Sequence, residues 1–274
     1  MSGTHPLAGI GVLVTRPQAQ AQPLCRLIES AGGRPLPFPT IEICPVVDPE
    51  SARVLLGEDW DLMVFTSRNA VELALALGFE GTWPRVTRLA AIGRATAAAL
   101  TTAGRAPDLV PPERFDSEAL TAMPELAAMA GRRVLIVRGE GGRALLGEVL
   151  AGRGARVQFA EVYRRVRPVV DTRALVADWP TRVGLAIATS DEVLLNLVEM
   201  LGAEGRDLLL ATPLVVISER TAATALGLGF HRVRVAERAE DQVIVAALGE
   251  LAGGAAAYSD SSYGSSQPAG SRPV

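Results

Sequence analysis

Two hydrophobic rhythms alternate along this chain. Short unbroken apolar runs are each followed by a longer stretch with helical spacing. Ile10–Val14 precedes Gln18–Ala31, and Leu62–Phe65 precedes a helix starting near Asn69. Leu89–Ile92 precedes Thr96–Ala103, and Val134–Val137 precedes Arg143–Arg153. Leu185–Ala188 precedes Glu192–Leu201, and Leu214–Ile217 precedes Thr221–Leu228. Runs of Val, Ile and Leu without polar alternation predict strands buried on both faces. Strands alternating with helices predict α/β architecture with parallel sheets built from right-handed crossovers. Glycines such as Gly32, Gly104, Gly154, Gly202 and Gly229 fall where helices should end.

Two stretches break the rhythm. Pro35, Pro37, Pro39, Pro45 and Pro49 crowd one segment, around the extended run Ile41–Cys44. The other, Glu161–Pro168, is charged and strand-like, with no strand–turn–helix unit after it. Proline belongs on sheet edges and in linkers, so both read as connectors, over residues 40–47 and 161–168. If they lie side by side, residues 48–160 form one domain and residues 1–39 join 169–253 as the other. A single crossing between consecutive domains is the simpler alternative and stays open on the sequence alone. Residues 254–274 are small and polar and read as a disordered tail.

The turns at the strand exits are more informative. They are Thr15-Arg16-Pro17, Thr66-Ser67-Arg68-Asn69, Gly93-Arg94-Ala95-Thr96, Arg138-Gly139-Glu140-Gly141-Gly142, Thr189-Ser190-Asp191 and Ser218-Glu219-Arg220-Thr221. Each is a tight turn of small residues entering a helix, and five of the six carry an Arg. Ligands of parallel sheets bind outside the carboxyl ends of the strands, where helix N-termini offer unpaired N–H groups. Small residues admit a ligand to the backbone, and Arg grips a carboxylate with two bonds. Two such rims facing each other would make a cleft for a polyanion. Any single exit is read as readily as an ordinary N-cap with a solvated Arg. The Gly139-x-Gly141-Gly142 turn lacks GxGxxG spacing, so a nucleotide loop is discounted.

Composition narrows the chemistry. The 274 residues suggest about two domains at roughly 150 residues each. The net charge is −3, which gives no general basic field for nucleic acid. All 27 basic side chains are Arg, so phosphate-binding and Schiff-base lysines are excluded. Two histidines and two cysteines, all scattered, build neither a zinc site nor a His-dependent triad. No metal and no cofactor is expected. The start lacks an export signal, and no apolar run approaches the roughly 18 residues of a membrane span. A cytoplasmic monomer, bound to neither membrane nor nucleic acid, is the expectation.

With those motifs in place, the chain resembles the uroporphyrinogen-III synthase family over roughly residues 9–250. VLVTRPQAQAQPL, FTSRNAV, AAIGRATAAAL, VLIVRGEGGRALLGEVLAGRGA, FAEVYRRVRP, IATSDEVLLNL and VVISERTAATALGLGF follow in the family's order. The resemblance implies two flavodoxin-like parallel-sheet domains, the first discontinuous, joined by a two-stranded connector. It implies a lyase of haem, sirohaem and cobalamin biosynthesis. The implied substrate is hydroxymethylbilane, a linear tetrapyrrole with an acetate and a propionate on every ring. The enzyme would expel its hydroxyl as water and close the macrocycle with the last ring inverted, through a spirocyclic pyrrolenine. Without the enzyme, closure gives isomer I.

Tyr163 is the leading catalytic candidate. Tyr258 and Tyr263 fall in the predicted tail, which leaves Tyr163 as the one tyrosine of the folded part. A phenol can donate a proton to a departing hydroxyl, and the resemblance implies that role. A strand tyrosine packed at a domain edge is the structural alternative. Thr66, Ser67, Gly93, Thr96, Arg138 and Gly139 would line the rim of one domain. Thr15, Arg16, Thr189, Ser190, Ser218 and Thr221 would line the rim of the other. All twelve are assigned to substrate binding, although Arg16 could instead be tied to a carboxylate such as Glu42. Asp191 and Glu192 would repel a carboxylate and read as helix-start caps. The rival from another class is a non-catalytic two-lobed module binding a small polycarboxylate. A nucleotide-sugar transferase is weaker still, because no pair of metal-binding carboxylates stands out.

Overall fold

The computed structural model describes residues 5–78, 88–114 and 116–259. In chain order the elements are β1 (Gly11–Val14), α1 (Gln18–Ser30), β2 (Arg34–Pro37), β3 (Glu42–Pro45), α2 (Glu50–Leu56), β4 (Leu62–Phe65) and α3 (Arg68–Ala76). Then come β5 (Arg88–Ala91), α4 (Arg94–Thr102), α5 (Ser117–Thr121), β6 (Arg133–Gly139), α6 (Leu145–Gly152) and β7 (Arg156–Val166). The chain closes with α7 (Arg173–Arg182), β8 (Leu185–Ala188), α8 (Asp191–Ala211), β9 (Leu214–Val216), α9 (Glu219–Leu228), β10 (Val233–Val235) and α10 (Asp241–Ser259).

The described strands form two five-stranded sheets, ordered β10-β9-β8-β1-β2 and β3-β7-β6-β4-β5. The chain divides into two compact units, residues 1–42 with 167–274, and residues 43–166. The pairings β1–β2, β1–β8, β8–β9 and β9–β10 are all parallel in unit 1. So are β4–β5, β4–β6 and β6–β7 in unit 2. Unit 2 shows why its apolar runs lack alternation. Met63, Phe65, Leu135 and Val137 pack into one core cluster. Their neighbours Leu62, Val64, Val134 and Ile136 pack into another. Successive side chains leave opposite faces of a strand, and helices cover both faces, so every position must be apolar. Each large side chain buried this way contributes roughly 1.5–3 kcal/mol.

The prolines sit where they cost no ladder bond. Pro35 and Pro37 lie in β2, at the end of one sheet, and Pro45 ends β3, at the end of the other. Residues 161–166 continue β7 without a break, beside β3 and β6, so this charged stretch belongs to the sheet. Helix α8 bends at Gly202, whose φ of 62° and ψ of −166° are not helical. The predicted start of the tail at 254 needs correcting. Alanine-rich α10 continues to Ser259 and includes Tyr258, in keeping with the high helix propensity of alanine. Residues 260–274, with Tyr263, lie outside the described residues. No helix among the described residues is long and apolar enough to cross a membrane.

Candidate active site

In unit 2 the chain leaves β4 through Thr66 and Ser67 to enter α3. Ser67 is extended, with φ −162° and ψ 162°, and its Oγ accepts the Ala70 N–H at 3.0 Å. That is the N-cap bond a serine makes at a helix start. Thr66 donates its hydroxyl back to the Val137 carbonyl at 3.3 Å. A cavity of about 410 Å³ opens at these strand ends, lined in part by Thr66, Ser67, Arg138, Gly139 and Tyr163. Its size falls in the range of ligand clefts, roughly 300–1,000 Å³.

Tyr163 stands on this wall because the β6–β7 ladder slips. Arg138 aligns with Glu161, but the next residue, Gly139, aligns with Tyr163, so Val162 is an extra residue on β7. Such a bulge re-aims the side chains beyond it. Tyr163 is buried, with only 4% of its surface exposed. Its Oη lies 3.1 Å from Ser67 Oγ. The Tyr163 carbonyl accepts the Glu140 N–H at 2.7 Å. The ring lies over Gly139, where an added Cβ would stand 2.6 Å from both Cε2 and Cζ. A glycine is therefore required at this close approach.

Arg138 is held inside the wall. Its Nε and Nη2 donate to Glu161 Oε1 at 3.2 and 2.9 Å, and its Nη1 donates to the Gly142 carbonyl at 3.1 Å. The guanidinium also stacks 3.9 Å from the centre of the Phe159 ring. With its charge answered by Glu161, Arg138 braces the β6–α6 turn. That turn passes through Gly141 at φ +68°.

Four further polar side chains on the cavity wall were missed from sequence: Asp116, Ser117, Arg143 and Arg165. Both arginines are exposed, and Arg143 Nη1 lies 3.9 Å from Glu118. Arg165 was legible in principle, because it follows Tyr163 by two residues and strand side chains repeat with period two. Asp116 caps α5, accepting the Ala119 N–H at 2.7 Å. That bond, with help from Arg114, holds its carboxyl below the ordinary value of 3.8, so it is anionic at neutral pH. A five-residue helix shows no hydrophobic period, so this cap gave no signal. Gly93 caps α4 and Thr96 is buried, and neither lines the cavity.

Side chains of the unit 1 exits are engaged within their own unit. Thr15 is fully buried and donates its hydroxyl to the Ile187 carbonyl at 2.6 Å. Arg16 pairs with Asp241 at 2.5 Å, the structural use weighed for it from sequence but with Asp241 in place of Glu42. Ser190 caps α8 through the Val193 N–H, and Ser218 caps α9 through the Thr221 N–H, both at 3.2 Å. Thr189 is half-buried at the end of β8. Thr221 is buried and donates to Asp191 at 2.7 Å, and Arg220 pairs with the same carboxylate at 3.0 Å. Asp191 thus ties the exits of β8 and β9 together. Among the described residues, no three His, Cys, Asp or Glu side chains gather as a metal site would require.

Comparison with known proteins identifies the lineage. The family model described as "Uroporphyrinogen-III synthase HemD" matches residues 22–246. The uroporphyrinogen-III synthase of Escherichia coli (strain K12) is 37% identical over 246 residues, covering 87% of this chain and 100% of that protein. That of Salmonella typhimurium is 38% identical over 245 residues, with the same 87% and 100% coverage. Two solved structures share the fold. A mutant uroporphyrinogen III synthase of Thermus thermophilus has a TM-score of 0.56 and 21% identity, covering 91% of this chain and 99% of that one. Uroporphyrinogen-III synthetase of Helicobacter pylori 26695 has a TM-score of 0.55 and 15% identity, covering 89% and 100%. These matches favour a synthase over a non-catalytic binding module. The chain belongs to the uroporphyrinogen-III synthase family.

Proposed function

We propose that this chain acts as a lyase on hydroxymethylbilane, closing it to uroporphyrinogen III with loss of water, and that Tyr163 supplies the proton. The reading rests on one observation above all. The Tyr163 phenol lies on the wall of a cavity at the strand ends of unit 2, with Arg143 and Arg165 on the same wall. The two arginines grip an acetate and a propionate of the reacting end. The positive end of the α3 dipole lies at the same rim and favours an anion there.

The phenol gives its proton to the leaving hydroxyl, the C–O bond breaks, and water departs. The pyrrole nitrogen lone pair replaces the lost electron pair and leaves a cation. The Asp116 carboxylate on the cavity wall favours that charge. The last ring attacks through its substituted carbon and forms the spirocyclic pyrrolenine. That intermediate fragments and recloses with the ring inverted, and the final ring proton returns to the phenolate. Substrate goes to product plus water with no net change in oxidation, so no redox partner enters the balance. Selectivity comes from holding a floppy, reactive chain in one geometry.

Thr189, Ser190 and Ser218 remain binding candidates on unit 1. We read β3 and the end of β7 as the strands that carry the chain between its units, with unit 1 discontinuous. Freshly made hydroxymethylbilane, with the product isomers resolved, tests the function. Isomer III above a no-enzyme control supports it, and isomer I alone rejects it. Tyr163→Phe should slow isomer III formation about 10- to 100-fold, the low end of what a general acid contributes. An unchanged rate removes Tyr163 from the mechanism.

A further inference from the structure

We infer that Ser67 and Gly139 are positioning residues for Tyr163: Ser67 donates its hydroxyl proton to the phenol oxygen, and Gly139 leaves the space in which the ring lies. The inference rests on the reading of Tyr163 as proton donor. The Ser67–Tyr163 contact, 3.1 Å between oxygens, allows either group to donate. The direction follows from what else Ser67 does. Its Oγ already accepts the Ala70 N–H at 3.0 Å, at the positive end of the nine-residue helix α3. An oxygen with one lone pair engaged and a helix dipole behind it is a poorer acceptor and a better donor.

The Ser67 proton therefore points to Tyr163 Oη, and the phenol's own proton is left for the substrate hydroxyl. As that proton leaves, the Ser67 hydroxyl stays in place to stabilise the phenolate oxygen. The other half of the device is steric. The bulge at Val162 brings the ring over Gly139, where an added Cβ would meet Cε2 and Cζ at 2.6 Å and Oη at 3.0 Å. The missing Cβ of Gly139 leaves the ring this position, while Ser67 meets its hydroxyl.

A double-mutant cycle on the full chain tests this, with kcat and KM for isomer III as readouts. Ser67→Ala should lower kcat about tenfold with KM changed less than about twofold. In the Tyr163→Phe background, which has no hydroxyl to orient, it should cost less than about twofold. Ser67→Thr should restore kcat. Ser67→Asp keeps the helix cap but can only accept from the phenol, so it should keep the melting temperature while kcat stays low. Equal losses from Ser67→Ala in both backgrounds, a change confined to KM, or no loss at all would overturn the inference. A Tyr163→Phe enzyme as fast as the parent would instead overturn the underlying reading of Tyr163.

Discussion

The two units carry strand exits of the same residue types, and the exits of unit 2 border the cavity beside Tyr163. In unit 1, Thr15 donates into the sheet and Thr221 donates to Asp191, while Arg16 and Arg220 are answered by Asp241 and Asp191. In unit 2, Ser67 spends its lone pair on a helix cap and still meets Tyr163 on a cavity wall, with Arg143 and Arg165 exposed beside it. Pairing alone does not separate the units, because Arg68 meets Glu72 and Arg143 meets Glu118 in unit 2 much as Arg220 meets Asp191 in unit 1. What sets the unit 2 exits apart is the cavity that opens beside Tyr163. Unit 2 is not free of such pairing, since Glu161 neutralises Arg138, but there the pair braces the turn that presents Gly139.

Substitutions can break or sharpen this contrast. The largest effect is expected at Gly139→Ala. The added methyl displaces the Tyr163 ring, and misplacement of a reacting group by about 1 Å costs on the order of 100-fold. Isomer III kinetics measure it, and a normal rate would mean the ring position is immaterial. Next comes Arg16→Ala in unit 1. It leaves Asp241 without its partner in a site where the two side chains are only 15% and 23% exposed. A loss of about 1–3 kcal/mol in urea unfolding is expected, and no loss would return Arg16 to the pool of anion donors.

A smaller effect is expected from Arg165→Ala. It should raise KM about tenfold, as removal of a charge-assisted contact does. Arg220→Ala, on the unit 1 rim, should change KM less than about twofold because Arg220 does not line this cavity. Equal effects would erase the contrast between the rims.

The smallest effect is electrostatic. Asp61 in unit 2 accepts the Arg133 N–H at 2.8 Å and an Arg132 Nη1 bond at 3.0 Å. The backbone bond first, then the Arg132 bond, lowers its carboxyl below the ordinary 3.8. A depressed carboxylate stabilises the fold fully above its unfolded value and loses that contribution as pH falls through the native one. Unfolding midpoints should therefore drop below about pH 4, and Asp61→Asn should flatten that drop. Asp171 in unit 1 is also lowered, by the Arg173 side chain and then its N–H, but it stands fully in solvent. Asp171→Asn should leave the acid limb almost unchanged.

Parts of the molecule were legible for a physical reason. The runs Leu62–Phe65 and Leu185–Ala188 are wholly buried strands, and nothing but continuous apolar sequence satisfies a sheet covered on both faces. Helix α7 was missed because Pro180 sits inside it, and α5 because five residues carry no period. The end of α10 was mistaken for a tail because its alanines and glycines resemble a linker in composition. Arg143 and Asp116 escaped because nothing local distinguishes them from solvated charges, whereas the two-residue spacing of Arg165 after Tyr163 was there to be read.

The sequence by itself determined the α/β alternation, the parallel sheets and the positions of the strand exits, since all of these follow from local periodicity and turn chemistry. It also singled out Tyr163 as the leading candidate for catalysis. Only the tertiary structure decided which exits face a cavity. That choice depends on partners far apart in the chain: Arg16 with Asp241, Thr15 with Ile187, and Ser67 with Tyr163 across 96 residues. A local pattern specifies a donor, but whether the donor is spent depends on what folding brings within about 3 Å of it.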